Sequence, residues 1–200
     1  MKKIVIAWLV CVLGLVGLFG WVGGSVFSNP RGADGSAAAP LITAEFTLQG
    51  GKGKTVTAQD FRGRYMLVYF GFTHCPDICP TTLLLMNNVV NQLGKNADRV
   101  QPIFITVDPE RDTPASTTEY ASHFGPRVLG LSGTPAQIKA AADSFKVYYS
   151  KVEDKTSAMG YVMDHSGFIY LMGPDGKYVT HFTHGVSEQE LAEGLASYVK

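Results

Sequence analysis

The feature that most constrains this chain is a junction. An apolar run, Tyr65 to Phe72, has the length and composition of a buried strand. Cys75 follows within three residues, then Cys79, then a leucine-rich segment of helical character, Thr81 to Leu93. Two thiols therefore stand where a strand turns into a helix. Pro76 suits a first helical position, where a missing N–H removes no hydrogen bond; Pro80 implies a distorted first turn. The unpaired N–H groups and the positive dipole end of a helix favour thiolate over thiol. Residues four apart on a helix share a face. Two such sulfurs can hold a soft metal ion between them or close a disulfide.

The other segments fall into an order around this junction. Phe46–Leu48 and Lys54–Val56 flank Gln49-Gly-Gly-Lys-Gly53 as a small hairpin. Thr57 can cap a helical turn ending at Gly63, and Val100 to Val107 reads as a second buried strand. Asp108-Pro-Glu-Arg-Asp112 comes next, and Asp112 or Thr113 can cap a helix that begins at Pro114 and reaches about Phe124. Gly130–Thr134 is a short strand and turn, and Thr134-Pro135 opens a helix to about Phe145. Lys146 to Tyr149 reads as a short strand and Ser150 to Met163 as a polar loop. Phe168–Met172, the turn Gly173-Pro-Asp-Gly176 and Lys177–Phe182 make an antiparallel pair. Ser187-Glu-Gln-Glu190 is a capping box for the last helix. This is the thioredoxin order with a helix-containing insertion: an α/β fold, its mixed sheet flanked by helices.

Met1-Lys-Lys3 precedes Ile4 to Phe27, a run without charge. A helix of about 24 residues would span about 36 Å, enough for a bilayer core. Lys2 and Lys3 assign the N-terminus to the cytoplasmic side. The rival, a cleaved signal peptide, has an apolar region of only ~7–15 residues, and Ala37-Ala-Ala39 lies far beyond this one. The expected organisation is an uncleaved single-pass membrane anchor over 1–27, a flexible tether over 28–44, and one thioredoxin-like domain over 45–200. Cys11, inside the anchor, reads as a small lipid-facing residue. The 17 basic and 17 acidic residues cancel, which argues against a nucleic-acid surface. A sparse pair of cysteines in an exported domain reads as a site, not a framework.

Three motifs together resemble the Sco/SenC family: Phe70-Gly-Phe-Thr-His-Cys-Pro-Asp-Ile-Cys-Pro80, Val107-Asp-Pro-Glu-Arg-Asp-Thr-Pro114, and Asp164-His-Ser166 before a strand. The likeness runs from about Phe46 to the C-terminus. That family consists of membrane-anchored thioredoxin-like proteins of copper delivery to cytochrome c oxidase. The resemblance implies a copper metallochaperone rather than an enzyme, serving the binuclear copper centre of cytochrome c oxidase subunit II. It places the anchor in a bacterial inner membrane with the domain in the periplasm. It implies a copper donor as well. Because the periplasm is oxidising, it also implies a thiol reductant that keeps Cys75 and Cys79 out of their disulfide.

Within such a fold, thioredoxin-like enzymes set a cis-proline opposite the cysteine loop. Here that approach reads Asp164-His-Ser-Gly167, so His165 is expected as the third metal ligand. Two thiolates and one imidazole suit Cu(I), and hold Cu(II) with a further ligand; zinc is compatible by ligand type. Asp164 could orient the imidazole. Asp108 and Asp112 are read either as a negative patch or partner contact near the metal, or as a turn and a helix cap. His74 could tune the Cys75 thiolate, and Met159 and Met163 are auxiliary soft ligands or packing. His123, His181 and His184 read as surface or strand-end residues. The alternative function is a membrane-tethered thiol–disulfide oxidoreductase acting on the oxidase's copper-site cysteines. A peroxiredoxin-type peroxidase does not fit, because Gly71 stands where its motif needs a proline.

Overall fold

The structure, a computed structural model, describes residues 42–155, 157 and 160–200. The anchor expected over 1–27, most of the tether over 28–44, Cys11 and Met159 lie outside the described residues. Among the described residues no helix is long and apolar enough to cross a membrane.

The small N-terminal hairpin forms as read, with β1 (Thr47–Gln49) antiparallel to β2 (Thr55–Thr57). Thr57 and Asp60 then close a reciprocal capping box over one 3₁₀ turn, Ala58–Phe61. The central strand β3 (Tyr65–Gly71) lies parallel to β4 (Val100–Thr106), which in turn lies parallel to β5 (Leu129–Leu131). On its other side β3 runs antiparallel to β8 (Phe168–Met172), and β9 (Tyr178–Thr183) closes that edge. The strand order is β5-β4-β3-β8-β9.

Helices α1 (Ile78–Gln92), α2 (Pro114–Ser122), α3 (Pro135–Phe145) and α4 (Glu188–Tyr198) accompany the sheet. Leu67, Val68, Tyr69 and Phe70 of β3, and Ile103, Phe104 and Ile105 of β4, are all fully buried. A strand covered on both faces has no polar side to show, which is why both read as continuous apolar runs. Each such large side chain contributes about 1.5–3 kcal/mol. The helix starts carry their own signals. Thr113 and Thr134 each accept a backbone N–H, with proline in the first turn, and Ser187 and Glu190 close the expected box.

Two local readings change. Helix α1 begins at Ile78, so Pro76 and Cys75 precede it and Pro80 is the third helical residue. All of the first turn's N–H groups lack helical partners, so proline is tolerated there without distortion. The stretch read as a strand over Lys146 to Tyr149 and a loop over Ser150 to Met163 is instead a second hairpin. Its strands, β6 (Tyr149–Glu153) and β7 (Tyr161–His165), form a two-stranded sheet of their own. His165 therefore ends a strand rather than sitting in a loop.

Candidate metal centre

At the end of β3 the chain makes a turn, with the Cys75 N–H donating to the Phe72 carbonyl at 3.3 Å. It then enters α1 through Asp77, whose carbonyl accepts from the Thr81 N–H at 3.2 Å and from the Thr81 hydroxyl at 2.9 Å. The turn, rather than a shared helix face, brings the two cysteines together. Both are free thiols, Cys75 half-buried and Cys79 fully buried. The two thiols are neighbours whose ionisations are coupled. Gly71 leaves room for this: a β-carbon there would meet Cys79 Sγ at 2.8 Å and Phe104 Cε2 at 3.0 Å.

The pair holds one proton unequally. The hydrogen bond from Cys79, then the backbone N–H groups of Cys79, Asp77 and Ile78, bring Cys75 down from 9.0 to about 5, against the pull of desolvation. The hydrogen bond to Cys75 pushes the Cys79 thiol far up, and burial and the charge on Cys75 add to it. Cys79 in turn lies 3.9 Å from the Tyr69 hydroxyl. The balance favours ionisation at Cys75 and retention of the proton at Cys79.

His165 faces this pair from β7. Its ring makes edge contacts with Tyr69 and Phe72, at centroid distances of 6.0 and 6.1 Å. Nδ1 lies 3.1 Å from the Ser166 carbonyl oxygen. A carbonyl only accepts, so Nδ1 carries the hydrogen and Nε2 keeps its lone pair. Asp164, expected to orient the imidazole, is exposed and leaves that task to the Ser166 carbonyl. Asp164 nonetheless borders the same groove as His165. Cys75, Met163 and His165 line one shallow groove, and His184 joins them from the loop after β9. A β-carbon on Gly167 would lie 2.1 Å from His184 Cδ2, so glycine there lets that ring pack down. Among the described residues no three His, Cys, Asp or Glu side chains stand close enough to enclose an ion. Cys75 and the imidazole share the groove, with Cys79 buried behind Cys75, and the three do not close on one point.

Both aspartates after β4 are buried, Asp108 1% and Asp112 0% exposed. Asp112 does not cap α2; Thr113 does. The Asp112 carboxylate instead reaches back to the cysteine loop. It accepts from the Thr73 N–H at 2.9 Å, the Thr73 hydroxyl at 2.5 Å and the Thr106 hydroxyl at 2.6 Å, and lies 3.5 Å from His74 Nδ1. Asp108 pairs with Arg111 and accepts from the Tyr161 hydroxyl at 3.1 Å. Neither carboxylate lines the groove; each fixes an element that does. Arg111, Tyr161, Ser166 and His184 were missed in the sequence. Only Arg111 carried a signal, as a lone cation between two acids.

The family model described as SCO1/SenC matches residues 34–200. The chain belongs to the SCO1/SenC family. Among its relatives, the SCO2-like protein of Rickettsia felis is 43% identical over 154 residues, covering 77% of this chain and 75% of that protein. ScoI of Bradyrhizobium japonicum, solved with copper bound, is 45% identical with a TM-score of 0.70, covering 78% of this chain and 99% of that one. BsSco, described by a disulfide switch and as a member of the Sco family of cytochrome c oxidase assembly proteins, is 26% identical with a TM-score of 0.61. That match covers 81% of this chain and 96% of that one. The thioredoxin-like α/β fold of the SCO1/SenC proteins, a mixed sheet with its helices, is the fold described above.

Proposed function

We propose that this protein is a copper metallochaperone that takes copper as cargo on Cys75, Cys79 and His165. It hands the ion to the copper centre of cytochrome c oxidase subunit II. One observation carries the reading: an imidazole with Nδ1 tied to a carbonyl lines the same groove as Cys75, whose thiol is drawn down to about 5 by its neighbours. The donor set fits. Thiolates select Cu(I), and an imidazole nitrogen adds the donor that Cu(II) prefers. The relatives support it, since the ScoI structure holds copper and BsSco belongs to oxidase assembly proteins.

His165→Ala tests the assignment. It leaves two sulfurs, so Cu(I) binding should persist, weakened by about tenfold. Cu(II) binding should fall by about a hundredfold or more, with loss of the imidazole nitrogen signature and a shifted sulfur-to-copper charge-transfer band. His165 is half-buried, so the fold should hold. An unchanged Cu(II) affinity and spectrum in the folded variant would remove His165 from the ligand set.

The second reading, a thiol–disulfide oxidoreductase, has one observation in its favour. A half-buried thiolate near pKa 5 backed by a buried thiol is also what attacks a disulfide. Sustained turnover of a mixed disulfide by reduced protein without copper would bring it to the front. For location we propose a bacterial inner membrane, with the domain in the periplasm beside a copper donor and a thiol reductant. The uncharged run from Ile4 to Phe27 motivates it. Alkaline carbonate should then leave the protein in the membrane pellet, and a mature chain beginning near Pro40 would overturn the anchor.

A further inference from the structure

We propose that Arg111 is a positioning residue that clasps the strand carrying His165 onto the loop carrying Cys75. This rests on the copper reading for its purpose, though not for its geometry. The hairpin β6–β7 pairs only with itself among the described strands. An isolated two-stranded hairpin is marginal in water, so something beyond its own ladder must fix where β7 lies.

Arg111 meets that need from the turn after β4. Its side chain is 8% exposed and pairs through Nε with the Asp108 carboxylate. Nη1 donates to the Tyr161 carbonyl at 3.3 Å. The guanidinium carbon stands 3.8 Å from the centroid of the Tyr161 ring and 5.8 Å from that of Phe72. Tyr161 opens β7, and its hydroxyl donates to Asp108, so it engages both members of the ion pair. Phe72 lies three residues before Cys75, and its ring meets the His165 ring edge-on. One planar cation therefore touches the thiol loop and the imidazole strand together. From the other strand, Lys151 Nζ lies 4.8 Å from the Tyr161 ring centroid and pairs with Glu110 at 2.5 Å.

Stacking matters here beyond charge. Arg111 Nη2 is buried without a hydrogen-bond partner, so the group is not held by hydrogen bonds alone. A lysine would keep the charge beside Asp108 but has no planar face for the ring.

The test uses the full-length, reduced, copper-free protein. Amide hydrogen exchange is read at Tyr161–His165 and in β3 and β8 for wild type, Arg111→Lys, Tyr161→Leu and Tyr161→Phe. Tyr161→Leu leaves the Asp108–Arg111 pair intact, so it guards against a variant that fails to fold. Exchange in β7 should quicken by about tenfold or more in Arg111→Lys and Tyr161→Leu, with β3 and β8 unmoved. Tyr161→Phe, which keeps the stacked face, should stay within about threefold of wild type. Loaded with Cu(II), the two loosened variants should lose the imidazole nitrogen signature; loaded separately with Cu(I), they should still bind it on the sulfurs. Unchanged β7 exchange in folded Tyr161→Leu would overturn the clasp, as would Tyr161→Phe exchanging as fast as Tyr161→Leu. If wild type binds no copper while the exchange pattern holds, the copper reading falls and the clasp stands.

Discussion

Oxidising Cys75 and Cys79 to a disulfide is expected to lower copper affinity by at least about three orders of magnitude, because both anionic sulfur donors vanish together. Reduction should restore it. Competition against a Cu(I) chelator, in the oxidised and reduced states of the same preparation, reads the effect. Equal affinity in the two states would mean that the sulfurs are not the principal ligands. The proton held by the pair sets the pH dependence. Cys75 is depressed to about 5, while Cys79 is raised and keeps its proton through neutrality. Loading both sulfurs above about pH 5 therefore expels one proton, and affinity should fall about tenfold for each unit of acidification. Below about pH 5 two protons must leave, and the slope should steepen to about a hundredfold per unit. The His165→Ala protein isolates the sulfurs for this measurement. A two-proton slope already near neutral pH would show Cys75 to be an ordinary thiol.

The second large effect is expected at Asp112. Its carboxylate is fully buried and accepts from Thr73 twice and Thr106 once, joining the cysteine loop to the end of β4. Asp112→Ala leaves those donors unpaired in a dry interior, at a cost of about 3–5 kcal/mol. For a domain of this size the melting temperature should drop by roughly 10 °C or more. Because Thr73 lies two residues before Cys75, the loop should loosen with it, and Cys79 should become open to alkylating reagents in the folded protein. A variant as stable as wild type, with Cys79 still protected, would show that these hydrogen bonds do not hold the cysteine loop.

The centre of the sheet was legible because β3 and β4 are buried on both faces. Tyr65 to Phe72 and Val100 to Val107 could be little else, and the threonine and serine caps set the helix starts within a residue or two. The thiol pair was legible from its spacing, though not the means of pairing, since a turn outside the helix joins the sulfurs. The hairpin β6–β7 was hidden for a physical reason. Tyr149–Glu153 buries neither face fully, so no apolar alternation marks it. Its order comes from distant groups, Arg111 beneath Tyr161 and the Ser166 hydroxyl accepting from the Tyr148 N–H at 3.0 Å. Asp112 misled for a related reason. A carboxylate two residues before a proline-led helix looks like a cap, and only the folded chain places Thr73 within its reach.

The orientation of the sheet has a mechanical consequence. Thr43 pairs with Lys177, just past the turn that follows β8, and the Tyr65 hydroxyl donates to the carbonyl of Tyr198 at 2.8 Å. Both ends of the described chain thus leave beside the start of β3, whereas the thiols lie beyond its finish. Seven strand residues span about 23 Å. If the domain is held at its N-terminal segment, as proposed above, the sulfurs would sit at the tip of a lever and not at the pivot. A small rotation there would sweep them through a wide arc, with no change in the geometry that holds the sulfurs.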